Sequence, residues 1–166
     1  GKPHNERVKR YGFRGQGQRI AMKETLDREL EAILELIKLT QDGILQWEAI
    51  EPWGDLFENE STKYASVFFC DYTDKRLRIF IERKRMDKPT GLNKLASLAY
   101  SISTENIIYP YWTEKVVLEV TNQSGQSLWR FPYKSAISDL LSAVKYQVSG
   151  IKDILDSLLL NKSEAS

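Results

Sequence analysis

The apolar residues Ile137, Leu141, Val144, Val148, Ile151, Leu155 and Leu158 follow one another at alternate steps of four and three, a heptad seam sustained for three repeats. This spacing predicts one long helix from Ser135 to Leu160. The Ser135 hydroxyl is placed to cap its first turn, Asn161 reads as its end, and Gly150 in its middle marks a bend or a close backbone approach. A second stripe, Leu26, Leu30, Ile33 and Ile37 with Leu34 beside it, predicts a helix over 23–42 that stops at Gly43. Each stripe needs an apolar face to cover it.

Between the helices the period changes to two. Ile44 to Ile50 reads as a first strand, followed by an acidic loop from Glu51 to Ser61. Tyr64–Tyr72 and Arg76–Arg85 predict a hairpin turning at Asp74-Lys75, in which Tyr72, Cys70 and Phe68 face Leu77, Ile79 and Ile81. The opposite side of that hairpin sets Asp71 across from Arg78 and Phe69 across from Phe80. Lys115–Asn122 and Ser127–Tyr133 predict a second hairpin turning at Ser124-Gly125, with Glu119 opposite Arg130 and an apolar side made of Leu118, Val120, Trp129 and Phe131. Between the hairpins, Leu92 to Ile102 suggests a short helix, and 107–112 is apolar enough to pack on the sheet.

The order helix, strand, hairpin, short helix, hairpin, helix predicts an α+β domain: an antiparallel sheet of about five strands with long N- and C-terminal helices packed on it. Its expected limits are a basic flexible arm over 1–22, a single domain over 23–161 and a tail over 162–166. Thr40-Gln41-Asp42-Gly43-Ile44-Leu45-Gln46-Trp47 resembles a T-x-x-G-x-I/L-x-W junction of small uncharacterised bacterial and phage proteins, in which a helix runs into a first strand bearing a tryptophan. The resemblance implies that element order and carries no activity with it.

Composition narrows the chemistry. With one cysteine and one histidine in 166 residues, the chain has neither an internal disulfide nor a zinc set of its own, and no cofactor-binding motif stands out. Cys70, on the apolar side of its strand, is expected to be an inert buried thiol. No apolar run approaches the length of a membrane span and no secretion signal is evident, so a cytoplasmic protein with no membrane contact is expected. The net charge of +1 conceals segregation: residues 1–23 hold seven bases against Glu6 alone, a net of +6, leaving the remainder at −5. Arg10, Tyr11, Phe13, Arg14 and Arg19 in that arm mix guanidinium groups with stacking faces, a composition suited to single-stranded nucleic acid. A second basic group runs from Lys75 to Lys88 and includes Arg76, Arg78, Arg83, Lys84 and Arg85. Its bland counterpart is a solvated edge strand, where such charges discourage edge-to-edge pairing.

Three functions follow. The first is a non-catalytic interaction or accessory domain of bacterial type, binding a protein partner or parent polypeptide, with Trp53 and Leu158 as candidate contacts. The second is nucleic-acid binding through the arm and the 75–88 cluster. The third is a Mg²⁺-dependent nuclease of the PD-(D/E)xK type, suggested by Glu82-Arg83-Lys84 at a strand end; the expected hairpin register opposes it, because it leaves Asp71 roughly 13 Å along the strand from the position facing Glu82.

Overall fold

A computed structural model of the chain describes residues 28–91 and 106–165. The predicted arm and the short helix expected over 92–102 fall outside these residues. Helix α1, over 28–41, leads through a turn to a meander of five antiparallel strands: β1 (Glu48–Ala49), β2 (Thr62–Tyr72), β3 (Lys75–Met86), β4 (Tyr111–Thr121) and β5 (Ser127–Arg130). Two helices follow, α2 (Ser135–Ser149) and α3 (Ile151–Ala165). The strands are hydrogen-bonded in chain order, so β3 is the central strand. The predicted α+β class and five-stranded antiparallel sheet are present.

One face of the sheet carries Phe68, Cys70, Leu77, Ile79 and Leu118 and is covered by Ile33 and Leu36 of α1 and by Ala136, Ile137, Leu140, Leu141 and Val144 of α2. The α1–β1 junction is locked into this layer by side chains. Thr40 Oγ1 donates to the Leu36 carbonyl at 2.7 Å and accepts from Trp47 Nε1 at 3.0 Å, so the buried indole N–H is satisfied within the junction. Gly43 takes the left-handed conformation (φ 75°) that ends the helix. From α2, Gln147 accepts from the Trp47 amide and donates to the Thr40 and Leu45 carbonyls, clamping the junction.

Several expected details are corrected. The predicted 44–50 strand is reduced to Glu48–Ala49, the only two of its residues in ladder register with β2; Leu45 and Trp47 ahead of it are buried in the core at alternate positions, without a strand partner. The β2–β3 turn is Thr73-Asp74, with Thr73 at φ 55°, not Asp74-Lys75. The register therefore slips by two: Cys70 pairs with Leu77, Phe68 with Ile79, Asp71 with Arg76 and Phe69 with Arg78. A slip of two keeps every side chain on its predicted face. A bulge between Ala65 and Phe68, with Ser66 at φ 52°, then shifts the pairing by one more position. At the other end, Ile107, Ile108 and Trp112 are exposed instead of packed, since 111–112 extend β4 beyond the helical layer. The final helix is two helices. Gly150 adopts φ 65° and ψ 19°, a left-handed C-cap that terminates α2. Ser135 lies inside α2; the N-cap is Lys134, with no side-chain cap bond.

The seam is consequently divided, with Ile137, Leu141 and Val144 in the core and Leu155 and Leu158 outside it. Leu141→Ala is expected to cost about 2–5 kcal/mol, as for other buried leucines, and Leu158→Ala to stay within about 0.5 kcal/mol. Denaturant melts of both variants check this.

Candidate functional site

The second face of the sheet is small and holds the most concentrated chemistry of the described residues. Val67, Phe80 and Val117 form an apolar patch under Leu56, with Tyr64 edge-on to Phe80 at 5.5 Å. Beside it Arg78 is fully buried on the central strand. β4 supplies its main counter-charge: Arg78 pairs with Glu119 across the ladder, and Nη2 lies 2.5 Å from Glu119 Oε2. The 52–56 loop supplies the rest, with Asp55 Oδ1 2.7 Å from Nη2 and the Trp53 carbonyl 3.3 Å from Nη1. The Gly125 carbonyl, from the β4–β5 turn, accepts from Nη1 at 3.0 Å.

Two glycines allow this closure. A Cβ on Gly54 would overlap the Gly125 backbone and a Cβ on Gly125 would overlap the Trp53 ring, and both residues have positive φ. The turn and the loop can thus touch, with the Asp55 amide bonded to the Gly125 carbonyl and Asp55 Oδ2 accepting from the Ser127 amide. Trp53 lies over the charge, its ring 5.5 Å from the Arg78 guanidinium and 5.6 Å from that of Arg76, and packs edge-on against Phe69. Partial burial works against ionisation of Asp55, but the Ser127 amide and Arg78 outweigh it and hold the carboxyl below its ordinary range.

Glu119 is shared. Its other oxygen takes Arg130 Nη2 at 2.7 Å, and Arg130 reaches on to Glu82 at 3.5 Å. Burial opposes the charge on Arg130, yet the two carboxylates prevail and raise its pKa. Burial and the charge of Glu82 raise that of Tyr64. The two buried acids therefore bracket an arginine, where a PD-(D/E)xK nuclease needs two acids to bracket a metal ion. Asp71 is not near: Glu82 faces Tyr64, and Asp71 lies seven positions further along β2, roughly 23 Å at strand rise. Among the described residues no group of three or more His, Cys, Asp or Glu is placed to hold a metal.

The basic 75–88 cluster sits on the central strand, so the solvated-edge reading is corrected. Six of its seven members are matched with acids: Lys75 with Asp74, Arg76 with Asp71, Arg78 with Asp55 and Glu119, Arg83 with Glu114, Lys84 with Glu82 and Arg85 with Asp87. Arg78 is withdrawn from any phosphate by its burial, and local neutralisation weakens the field the others present. Arg10, Tyr11, Phe13, Arg14 and Arg19 lie outside the described residues. A groove of about 630 Å³ is lined by Ile81, Thr113, Glu114, Lys115, Val116 and Tyr133, and its carboxylate is the Arg83-bound Glu114. Cys70 is buried, and desolvation, reinforced by Asp71, pushes its thiol up to about 12.

Of the two candidate partner contacts, Trp53 is a lid over Arg78. Leu158 is different. It belongs to α3, which has no buried residue, and Ile154, Leu155, Leu158 and Leu159 are 51%, 43%, 59% and 64% exposed. Sequence reasoning identified Leu158 but missed Ile154 and Leu159, because the seam was assigned to one continuous core helix. The Arg78 centre was also missed: the two-residue register error faced Arg78 with Asp71, and the role of Gly54 and Gly125 depends on a tertiary contact.

Comparison with family models, curated proteins and solved structures finds no match. Arg78→Ala leaves Glu119 buried beside one cation and is expected to cost about 3–5 kcal/mol in a denaturant melt. For pH, a depressed folded-state carboxyl contributes stability that is present above its unfolded pKa, near 3.8, and lost as pH falls through the lower folded value. Asp55→Asn should therefore lower stability at neutral pH and flatten its decline below about pH 4, as measured by melts across that range.

Proposed function

We propose that this chain is a non-catalytic interaction domain that engages a protein partner through the apolar face of α3. The observation that carries the reading is the contrast between α2, with five buried residues, and α3, which has the same length and buries none. Fifteen residues form a helix about 22 Å long, and a helix of that length is marginal in water without an apolar surface to pack on. Ile151, Ile154, Leu155, Leu158 and Leu159 lie along one side at the spacing of such a stripe. Gly150 turns this stripe out of the core that the rest of the seam occupies. The first of two further supports is that the Arg78 centre has its carboxylates committed to arginines, which suits a rigid scaffold better than acid–base chemistry. The second is that α3 follows the clamped α2 directly and so projects from a rigid base.

What would cover α3 is a complementary apolar helix or groove of about four turns. Replacing Leu155 and Leu158 together by Asp is expected to leave the melting midpoint within about 2 °C while removing the protein from any complex larger than a monomer. Size-exclusion chromatography, on the purified chain and in extracts of its source cells, provides the check. A wild-type chain that elutes as a monomer in both settings contradicts the reading.

A further inference from the structure

The last two strands of the meander differ in length: β4 runs over Tyr111–Thr121, β5 over Ser127–Arg130. The cause is in the sequence. Pro132 brings no amide hydrogen to a ladder, and at Ser135 the chain is already in α2. On one side β4 is paired with β3 along its whole length. On the other it meets β5 only from Leu118 onward, where the Phe131 amide donates to the Leu118 carbonyl at 2.9 Å. Backbone groups alternate in direction along a strand, so the N–H and C=O of Trp112, Glu114 and Val116 point the same way as those of Leu118. Among the described residues no backbone group meets them. Roughly 20 Å of strand edge is open.

Such an edge specifies the conformation of what covers it, because only an extended backbone matches its alternating donors and acceptors. Its two sides specify the side chains. On the helix side the groove of about 630 Å³ follows the edge, lined by the apolar Ile81 and Val116 and by Tyr133. On the other side Lys115 stands opposite Glu82, whose carboxylate lies 3.6 Å from Lys84 Nζ and 3.5 Å from Arg130 Nη2. The side chains of Lys84 and Arg130 are 58% and 42% exposed and Lys115 is exposed, whereas Glu82 and Glu119 are buried. The rim beside the open edge thus presents three cations over buried carboxylates.

We propose that the open edge of β4 docks an acidic, extended peptide segment of a partner protein, which joins the sheet as a sixth strand antiparallel to β4. Alternate side chains of that segment are apolar and enter the groove over Ile81 and Val116; the carboxylates between them lie over Lys115 and beside Arg130. This surface is separate from α3. Two occupants from the chain itself are opposed by charge. The 1–23 arm, with its net of +6, has the wrong sign. A second copy's β4, in the antiparallel register that uses all of 111–117, sets Glu114 directly against Glu114 of the copy.

The test uses the full-length chain and a peptide of about seven residues alternating valine and glutamate, with a valine–lysine peptide as control, followed by amide NMR. The glutamate peptide is expected to bind with a dissociation constant of about 0.1–1 mM, to shift the amides of Trp112, Glu114 and Val116 and to slow their exchange with solvent. The lysine peptide should bind at least about tenfold more weakly, and Lys115→Glu should reverse that order. Methylating the valine nitrogens, which face β4, should weaken binding at least about tenfold without touching the protein. Glu114→Pro removes an outward N–H and leaves the bonds to β3 in place, so it should abolish binding while the chain stays folded. If that variant unfolds, the methylated peptide decides alone. Undiminished binding of the methylated peptide, or shifts confined to other parts of the molecule, overturns strand addition. Equal binding of the two unmethylated peptides overturns the acidic partner, and no binding at about 5 mM overturns both. A wild-type dimer in ultracentrifugation whose Trp112, Glu114 and Val116 amides are protected without peptide overturns the proposal in favour of a second copy.

Discussion

Much of this architecture depends on Arg78, a cation held without solvent on the central strand. An uncompensated guanidinium there would cost several kcal/mol or more, so its four acceptors are conditions of folding. They come from three separate stretches: Glu119 on β4, the Gly125 carbonyl in the β4–β5 turn, and the Asp55 carboxylate and Trp53 carbonyl in the loop before β2. Pairing Nη1 and Nη2 of this one side chain, whose buried Nε has no partner, thus brings β4 into register with β3, shapes the last turn of the sheet and closes the loop over the face opposite the helices. Gly54 and Gly125 are required because no side chain fits between loop and turn. Replacing such a centre by apolar groups need not destabilise a protein, whereas removing one partner does, so the network is best understood as a device that specifies register.

The other face obeys a different rule. There the helices and sheet meet through aliphatic side chains, with a short polar clamp, Thr40, Trp47 and Gln147, tying α1 to α2. The clamp bears on the proposed function because Gln147 ties down the last turn of α2, three residues before the left-handed Gly150. A rigid base followed by a left-handed cap gives α3 a defined departure from the core, and α3 is where the unsatisfied apolar surface is found. The two halves of the seam have the same spacing and different fates. What separates them is the conformation of one glycine.

That division explains what could be read from the sequence. The heptad spacing of Ile137 to Leu158 indicated helix on both sides of Gly150 but not the break there, since periodicity is blind to whether residue 150 takes φ about −60° or 65°, and glycine adopts both. The faces of the hairpin residues from Val67 to Ile81 were legible because an error of two positions preserves the pleat, whereas the bulge moves Tyr64 to the face of Val67 and Phe80; the partners of Arg78 were not legible, because the error of two changes them. The pairing of Glu119 with Arg130 was legible, set by a short turn with strong local chemistry. The Asp55 lid was not, since its bonds to Arg78 and Ser127 span 23 and 72 positions. Cys70 was read correctly as a buried thiol from its place on an apolar strand face.

The molecule divides into a body built around Arg78 and a terminal helix with no buried residue, the face of which we propose meets a partner. Native-state amide hydrogen exchange on dilute chain tests this division most directly. The amides of Leu140 and Val144 in α2 should exchange only through global unfolding, while those of Leu155 and Leu158 in α3 exchange at least about a hundredfold faster through local opening and slow as the complex forms. Equal protection of α2 and α3 in the dilute monomer would contradict it, for α3 would then belong to the core and have no face to offer.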